Sequence, residues 1–232
     1  MKYRIENKYI CDSKDLQLIR SRIKHLMKSD THGDENCEYT VKSLYFDDYV
    51  NSGYYEKEDG VHYRKKYRLR YYDDDVSTLR LEIKKKVESY INKISCKVNI
   101  KDSLLMVKGK HLPLKEEMSE AYRDMYLNAR RYLLKPNIII EYDREAYVLK
   151  EGNVRITLDK NISASSQHEL YLDGSYHKVP LLESGQFILE IKYDEFLPSY
   201  IYRALSLNRL QQSSFSKYYI GRNKLKKTFF RK

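Results

Sequence analysis

Along most of the chain apolar and polar residues alternate with a period of two, as in strands with one packed and one polar face. The alternation predicts strands over 2–10, 38–47, 61–72, 78–88, 91–99, 137–147, 153–160 and 186–194, rich in Tyr, Ile, Val and Leu. Between them the period lengthens. Residues 13–28 set Leu16, Ile19, Ile23 and Leu26/Met27 on one helical face, with Asp12 or Ser13 as N-cap. Asp102–Lys108 reads as a short helix stopped by Gly109; 114–134 puts Leu114, Met118, Ala121/Tyr122, Met125 and Ala129 on one stripe before Pro136. A helical pair follows near 198–208 and 213–225. No repeat or Pro/Gly/Ser linker divides the chain. The reading is one α+β domain over 1–232, with a helical insertion at about 102–135 and a helical C-terminal segment at about 198–232. About eight mostly antiparallel strands predict a closed β-barrel with peripheral helices, because closure removes exposed edges.

The polar faces are cationic. In 61–72 the even positions include Arg64, Lys66, Arg68 and Arg70, against Tyr63, Tyr67, Leu69 and Tyr71. In 78–88 Arg80, Glu82, Lys84, Lys86 and Glu88 oppose Leu79, Leu81, Ile83 and Val87. Strand 2–10 sets Lys2, Arg4, Glu6 and Lys8 against Tyr3, Ile5 and Tyr9; strand 186–194 sets Glu190, Lys192 and Asp194 against Phe187, Leu189, Ile191 and Tyr193. Lys93 and Lys97 share a face of 91–99. The pattern alone fits a one-sided sheet whose polar face is solvated. Crowded like charges on neighbouring strands are destabilising, however. They fit better a wet interior that holds a polyanion.

Charge supports an anionic partner: 44 Lys+Arg against 33 Asp+Glu leave +11 over 232 residues. Of the apolar residues 24 are Tyr, expected to pack an outer layer with hydroxyls reaching water. No stretch approaches the ~20 apolar residues of a spanning helix. The N-terminus has neither an apolar run nor a small-residue cleavage site, so no signal peptide is expected, and three cysteines, odd in number, fit a reducing, cytoplasmic setting. Cys11, Cys37 and Cys96 show no CxxC spacing, and six histidines, among them His32 and His62, show no metal spacing. There is no GxxxxGK[ST] or GxGxxG, so phosphates are not cradled by a Gly-rich loop.

Glu6-x-Lys8, Arg68-Leu-Arg70 and Leu81-Glu82-Ile83-Lys84-Lys85-Lys86 resemble the CYTH superfamily of triphosphate tunnel metalloenzymes. Ser43-Leu-Tyr45-Phe46-Asp47, Glu141-Tyr-Asp-Arg144, Val154-Arg155-Ile-Thr-Leu158-Asp159, Leu189-Glu190-Ile-Lys192 and Phe215-Ser-Lys217-Tyr218 narrow the likeness. From about Tyr3 to Lys217 the chain resembles the VTC (vacuolar transporter chaperone) catalytic domain, a polyphosphate polymerase, in its free-standing bacterial form.

The resemblance implies an eight-stranded tunnel in which manganese or magnesium assists γ-phosphoryl transfer from ATP to a growing polyphosphate chain. By motif position Lys8, Arg68, Arg70, Lys84, Arg144, Arg155 and Lys217 hold phosphates, with Lys86, Lys93, Lys97 and Lys192 as additions. Glu190 is the metal ligand it implies; Glu6 and Glu82 are further ligands or salt-bridge partners. Two departures stand out. Arg4 occupies a position that is acidic in the wider superfamily, which weakens a two-metal hydrolase reading, and Ser214 stands where VTC relatives often carry Lys. The alternatives are a triphosphatase on the same fold and a non-catalytic binder of polyphosphate or nucleic acid. The basic end, Arg222, Lys224, Lys226, Lys227, Arg231 and Lys232, reads as a solvated tail or as a contact with a membrane or polyanion.

Overall fold

The computed structural model describes residues 4–30, 38–87 and 90–229. In chain order the elements are β1 (Ile5–Cys11), α1 (Ser13–Ile23), β2 (Lys28–Ser29), β3 (Glu38–Asp47), α2 (Ser52–Glu58), β4 (Tyr63–Tyr72) and β5 (Asp75–Val87). They continue with β6 (Tyr90–Lys97), α3 (Ile100–Val107), α4 (Glu120–Arg131), β7 (Lys135–Leu149) and β8 (Val154–Ser165). Then come β9 (Val179–Pro180), β10 (Phe187–Tyr193), α5 (Ser199–Leu205) and α6 (Lys217–Phe229). Lys2, Tyr3, His32, Cys37, Glu88, Arg231 and Lys232 lie outside the described residues.

The ten strands are linked by hydrogen bonds in the order β1-β10-β8-β7-β3-β4-β5-β6, with β2 joined to β7 and β9 to β8. This is an α+β fold dominated by an antiparallel sheet, but the expected eight-stranded closed barrel is not what forms. The path has two ends, at β1 and β6, and two short strands are added. At one end, backbone groups of β1 are already used: Tyr9 bridges Gln212, and the Ser213 N–H donates to the Lys8 carbonyl at 2.8 Å. At the other, β6 carries Lys93, 52% exposed at its side chain, a charge of the kind that protects an open edge. No helix among the described residues is long and apolar enough to cross a membrane.

The chain divides into two compact units. The first comprises Met1–Thr40, Tyr142–Ile162 and Leu182–Ser216. Its core joins Tyr9, Cys11, Leu16, Ile19, Ile23, Ile156, Leu158, Leu189, Ile191, Ile201 and Leu205, so α1 and α5 cover the odd face of β1 and β10. Asp12 caps α1, with Asp15 answering in a capping box. The helix ends at Ile23 and not near 28, because the chain turns there: the N–H groups of Leu26 and Met27 both donate to the Ile23 carbonyl, ahead of β2.

The second unit comprises Val41–Glu141, Ser163–Leu181 and Lys217–Lys232. Its core takes Leu44 and Phe46 from β3, Tyr67, Leu69 and Tyr71 from β4, and Leu79, Leu81 and Ile83 from β5, under Met106, Val107, Ala121, Tyr122 and Met125. Gly109 ends α3 in the left-handed region at φ +64°, as expected. The helix predicted from 114 starts only at Glu120, where Ser119 caps it; Leu114 is 69% exposed. On β7, Ile139 belongs to the core under α3 and α4, while Ile138 and Ile140 meet α6. A Cβ at Gly221 would stand 2.8 Å from Cδ1 of both, so α6 approaches this face closely because that residue has no side chain.

Candidate functional site

Strand parity gives each unit a polar face opposite its apolar core, and the two faces are built separately. In the first unit the antiparallel register aligns Glu6–Lys192–Arg155 in one cross-strand row and Lys8–Glu190–Thr157 in the next. Arg144 holds Asp159 bidentately, Nε to Oδ1 at 2.6 Å and Nη2 to Oδ2 at 2.8 Å, and lies 3.7 Å from Glu190. Lys192 pairs with Glu190 at 2.6 Å, and Lys8 reaches Glu6 at 3.0 Å and the Phe215 carbonyl at 3.2 Å. Arg155 turns to Asp30 at 2.6 Å and to the Tyr39 hydroxyl at 3.1 Å. Burial works against the Lys8 ammonium, yet Glu190 and Glu6 outweigh it and push its pKa up. For Lys192 burial wins and the pKa falls, because Arg144 adds to the penalty against Glu190 and Glu6.

In the second unit Glu82 sits among several cations. Glu82 is buried and accepts from Arg68 Nε at 2.7 Å and from Lys93 at 2.9 Å, with Arg70 at 3.7 Å. Despite burial, Arg68, Arg70 and Lys93 hold its carboxyl far below the usual carboxylate range. Around it the register sets Lys66 beside Lys84, Lys84 beside Lys93, and Arg80 beside Lys97. Lys86 lies farther along, opposite Ile91, and Lys217 begins α6. Arg70 donates to the Ser43 hydroxyl at 2.9 Å, and Arg68 to the Tyr45 hydroxyl at 3.1 Å. Tyr45 stacks obliquely on Tyr218 at 5.3 Å between ring centroids, and the Tyr218 hydroxyl donates to Asp47. In the described part of the basic end, Arg222 donates to Asn51 at 2.8 Å and Lys226 lies 4.0 Å over the Tyr54 ring, so these two do not belong to a solvated tail.

Sequence reasoning passed over Ser43, Tyr45, Asp47 and Thr157 as site residues. The parity rule could have found the first three, since Leu44 and Phe46 fix the opposite face of β3. Of the two roles open for Glu82, ion pairing is the one its geometry displays. Among the described residues no three His, Cys, Asp or Glu side chains gather as a metal site needs. The donor chemistry that remains is Glu190, with Glu6 one row away, on a face rich in cations. That set suits a hard ion arriving with substrate phosphates, since magnesium uses one or two carboxylates plus phosphate oxygens. It does not suit an ion held by protein groups alone.

The VTC domain family model matches residues 3–226. No curated protein matches the chain. Among solved structures, the chain is similar to a Hippeastrum protein, HpAC1, taken for an adenylyl cyclase and described as having a dominant triphosphatase activity. The TM-score is 0.54 at 13% identity, over 96% of this chain and 96% of that one. A Bacillus halodurans protein assigned as an adenylate cyclase gives 0.52 at 13% identity, over 93% and 94%. A Vibrio parahaemolyticus protein assigned likewise gives 0.50 at 11%, over 94% and 97%. At these identities the likeness is one of fold.

Proposed function

The chain belongs to the VTC domain family, and from that membership we propose that it is a metal-dependent enzyme of triphosphate phosphoryl transfer. Its donor is ATP, and the γ-phosphoryl group passes to a growing inorganic polyphosphate chain. The observation that carries this reading is the cluster of cations on the polar face of β4, β5 and β6, where Glu82 stands among Lys66, Arg68, Arg70, Lys84 and Lys93.

Phosphoryl transfer is mostly positioning and neutralisation of charge spread over equatorial oxygens. Arginine forks suit bidentate phosphate contact, and the lysines supply mobile point charges. In this reading Lys8, Arg144, Arg155 and Lys192 bind phosphate oxygens on one face, and Arg68, Arg70, Lys84 and Lys217 on the other. Arg144 is fixed in orientation by Asp159, so its binding geometry is set before an anion arrives. Lys192, whose ammonium burial disfavours, would be stabilised in its charged form by a phosphate. Manganese or magnesium, bound by Glu190 with phosphate oxygens, would supply Lewis-acid neutralisation of the transferred group.

Incubation with ATP and Mn²⁺ tests the proposal: it predicts ADP and a phosphatase-resistant polymer. Glu190→Ala should abolish turnover while triphosphate binding persists. Free phosphate as the only inorganic product would replace polymerisation by triphosphate hydrolysis, a second reading favoured by the activity described for the Hippeastrum protein. Metal-independent, salt-sensitive binding without turnover would make the protein a binder of polyanions.

A further inference from the structure

Buried polar side chains almost always find a hydrogen-bond partner, and on the polar face of β8 one does not. Thr157 is 1% exposed, and its hydroxyl has no hydrogen-bond partner among the described residues. It lies in the cross-strand row Lys8–Glu190–Thr157, flanked along β8 by Arg155 and Asp159 on the same face. The neighbouring groups are engaged elsewhere: Glu190 with Lys192 at 2.6 Å, Asp159 with Arg144 at 2.6 Å, and Lys8 with Glu6 at 3.0 Å. Ile156 and Leu158 pack the opposite face, so Thr157 contributes nothing to that core. If only volume mattered here, Val would fill the same space without burying a hydroxyl. Around it lie the cations Lys8 and Arg155 and the carboxylates Glu190 and Asp159, each already in an ion pair, and a hydroxyl with a free proton among them is a donor for an arriving anionic oxygen.

We infer that Thr157 is a substrate-positioning residue whose hydroxyl donates to a phosphate oxygen of a triphosphate bound on the Lys8–Arg144–Lys192 face. The inference rests on the proposed reading that this face binds triphosphate, and it adds a neutral donor to a set made otherwise of cations. Such a donor fixes where one oxygen sits, because a hydroxyl has a directional bond where a lysine supplies a point charge.

Titration calorimetry with tripolyphosphate in EDTA, on the wild type, Thr157→Val and Thr157→Ser, tests it. The Val variant is expected to melt at or above the wild-type temperature, having lost an unsatisfied hydroxyl, and to bind about tenfold more weakly, the loss of one hydrogen bond to a charged group. The Ser variant, which keeps the donor, should bind within about twofold of wild type. If Val at this position does not fold, Thr157→Ala compared with Thr157→Ser reads the same difference. Wild-type affinity in the Val or Ala variant would overturn the inference and leave the triphosphate reading intact. So would a loss seen only when manganese is added, which would place the hydroxyl on the ion. Failure of the wild type to bind tripolyphosphate would overturn the reading and the inference together.

Discussion

Tyr45 is 8% exposed, and burial alone would raise the pKa of its phenol. Arg68, Arg70 and Lys66 outweigh burial and bring it down to about 7. Above that pH the phenolate adds a negative charge beside Arg68, so affinity for triphosphate should fall as pH rises through about 7. The step should vanish in Tyr45→Phe; an unchanged pH profile in that variant would show that the titration belongs elsewhere. Arg144 offers a stability test at the same scale. Asp159 is 0% exposed, and Arg144→Ala would leave its carboxylate buried without its bidentate partner. The expected cost is about 3 kcal/mol, read from urea unfolding; a loss below about 1 kcal/mol would mean that water reaches Asp159. What the sequence disclosed here was the face of each side chain, because strand parity is fixed by the backbone. It did not disclose pairing. That Glu82 gathers three cations while the Thr157 hydroxyl finds no partner among the described residues depends on rotamers and cross-strand register, which alternation leaves open.

Among the elements, the strands were the most legible: 38–47 is β3 to the residue, and the other seven differ only at their ends. Alternation of Tyr, Leu and Ile against Arg and Lys is a strong period-two signal. α2 was not legible, because it buries Tyr54 alone and so leaves no stripe. Barrel closure was not legible either, since it turned on what backbone groups near Lys8 and Tyr9 bond to, far along the chain at Gln212 and Ser213. The packing of α6 gives a prediction at this scale. Gly221→Ala gains about 1 kcal/mol of helix propensity but presses a methyl against Ile138 and Ile140, both fully buried. Overpacking of this kind costs about 1–3 kcal/mol, so a net destabilisation of about 1 kcal/mol is expected in chemical unfolding. A stabilised variant would show that the isoleucine side chains give way easily.

For the molecule as a whole, the chain carries a surplus of +11 charges, and strand parity places cations such as Arg68, Arg70 and Lys84 on a face opposite an apolar core. Charge and alternation together made an anionic partner legible before any fold was known. They could not separate transfer from hydrolysis, because both chemistries need the same neutralising groups around the same phosphates. The most direct test is the affinity of the intact protein for tripolyphosphate, measured across a series of KCl concentrations. The account predicts saturable binding that weakens steeply and linearly on a log–log plot as counterions compete for the phosphates. Absence of binding, or an affinity indifferent to salt, would contradict it.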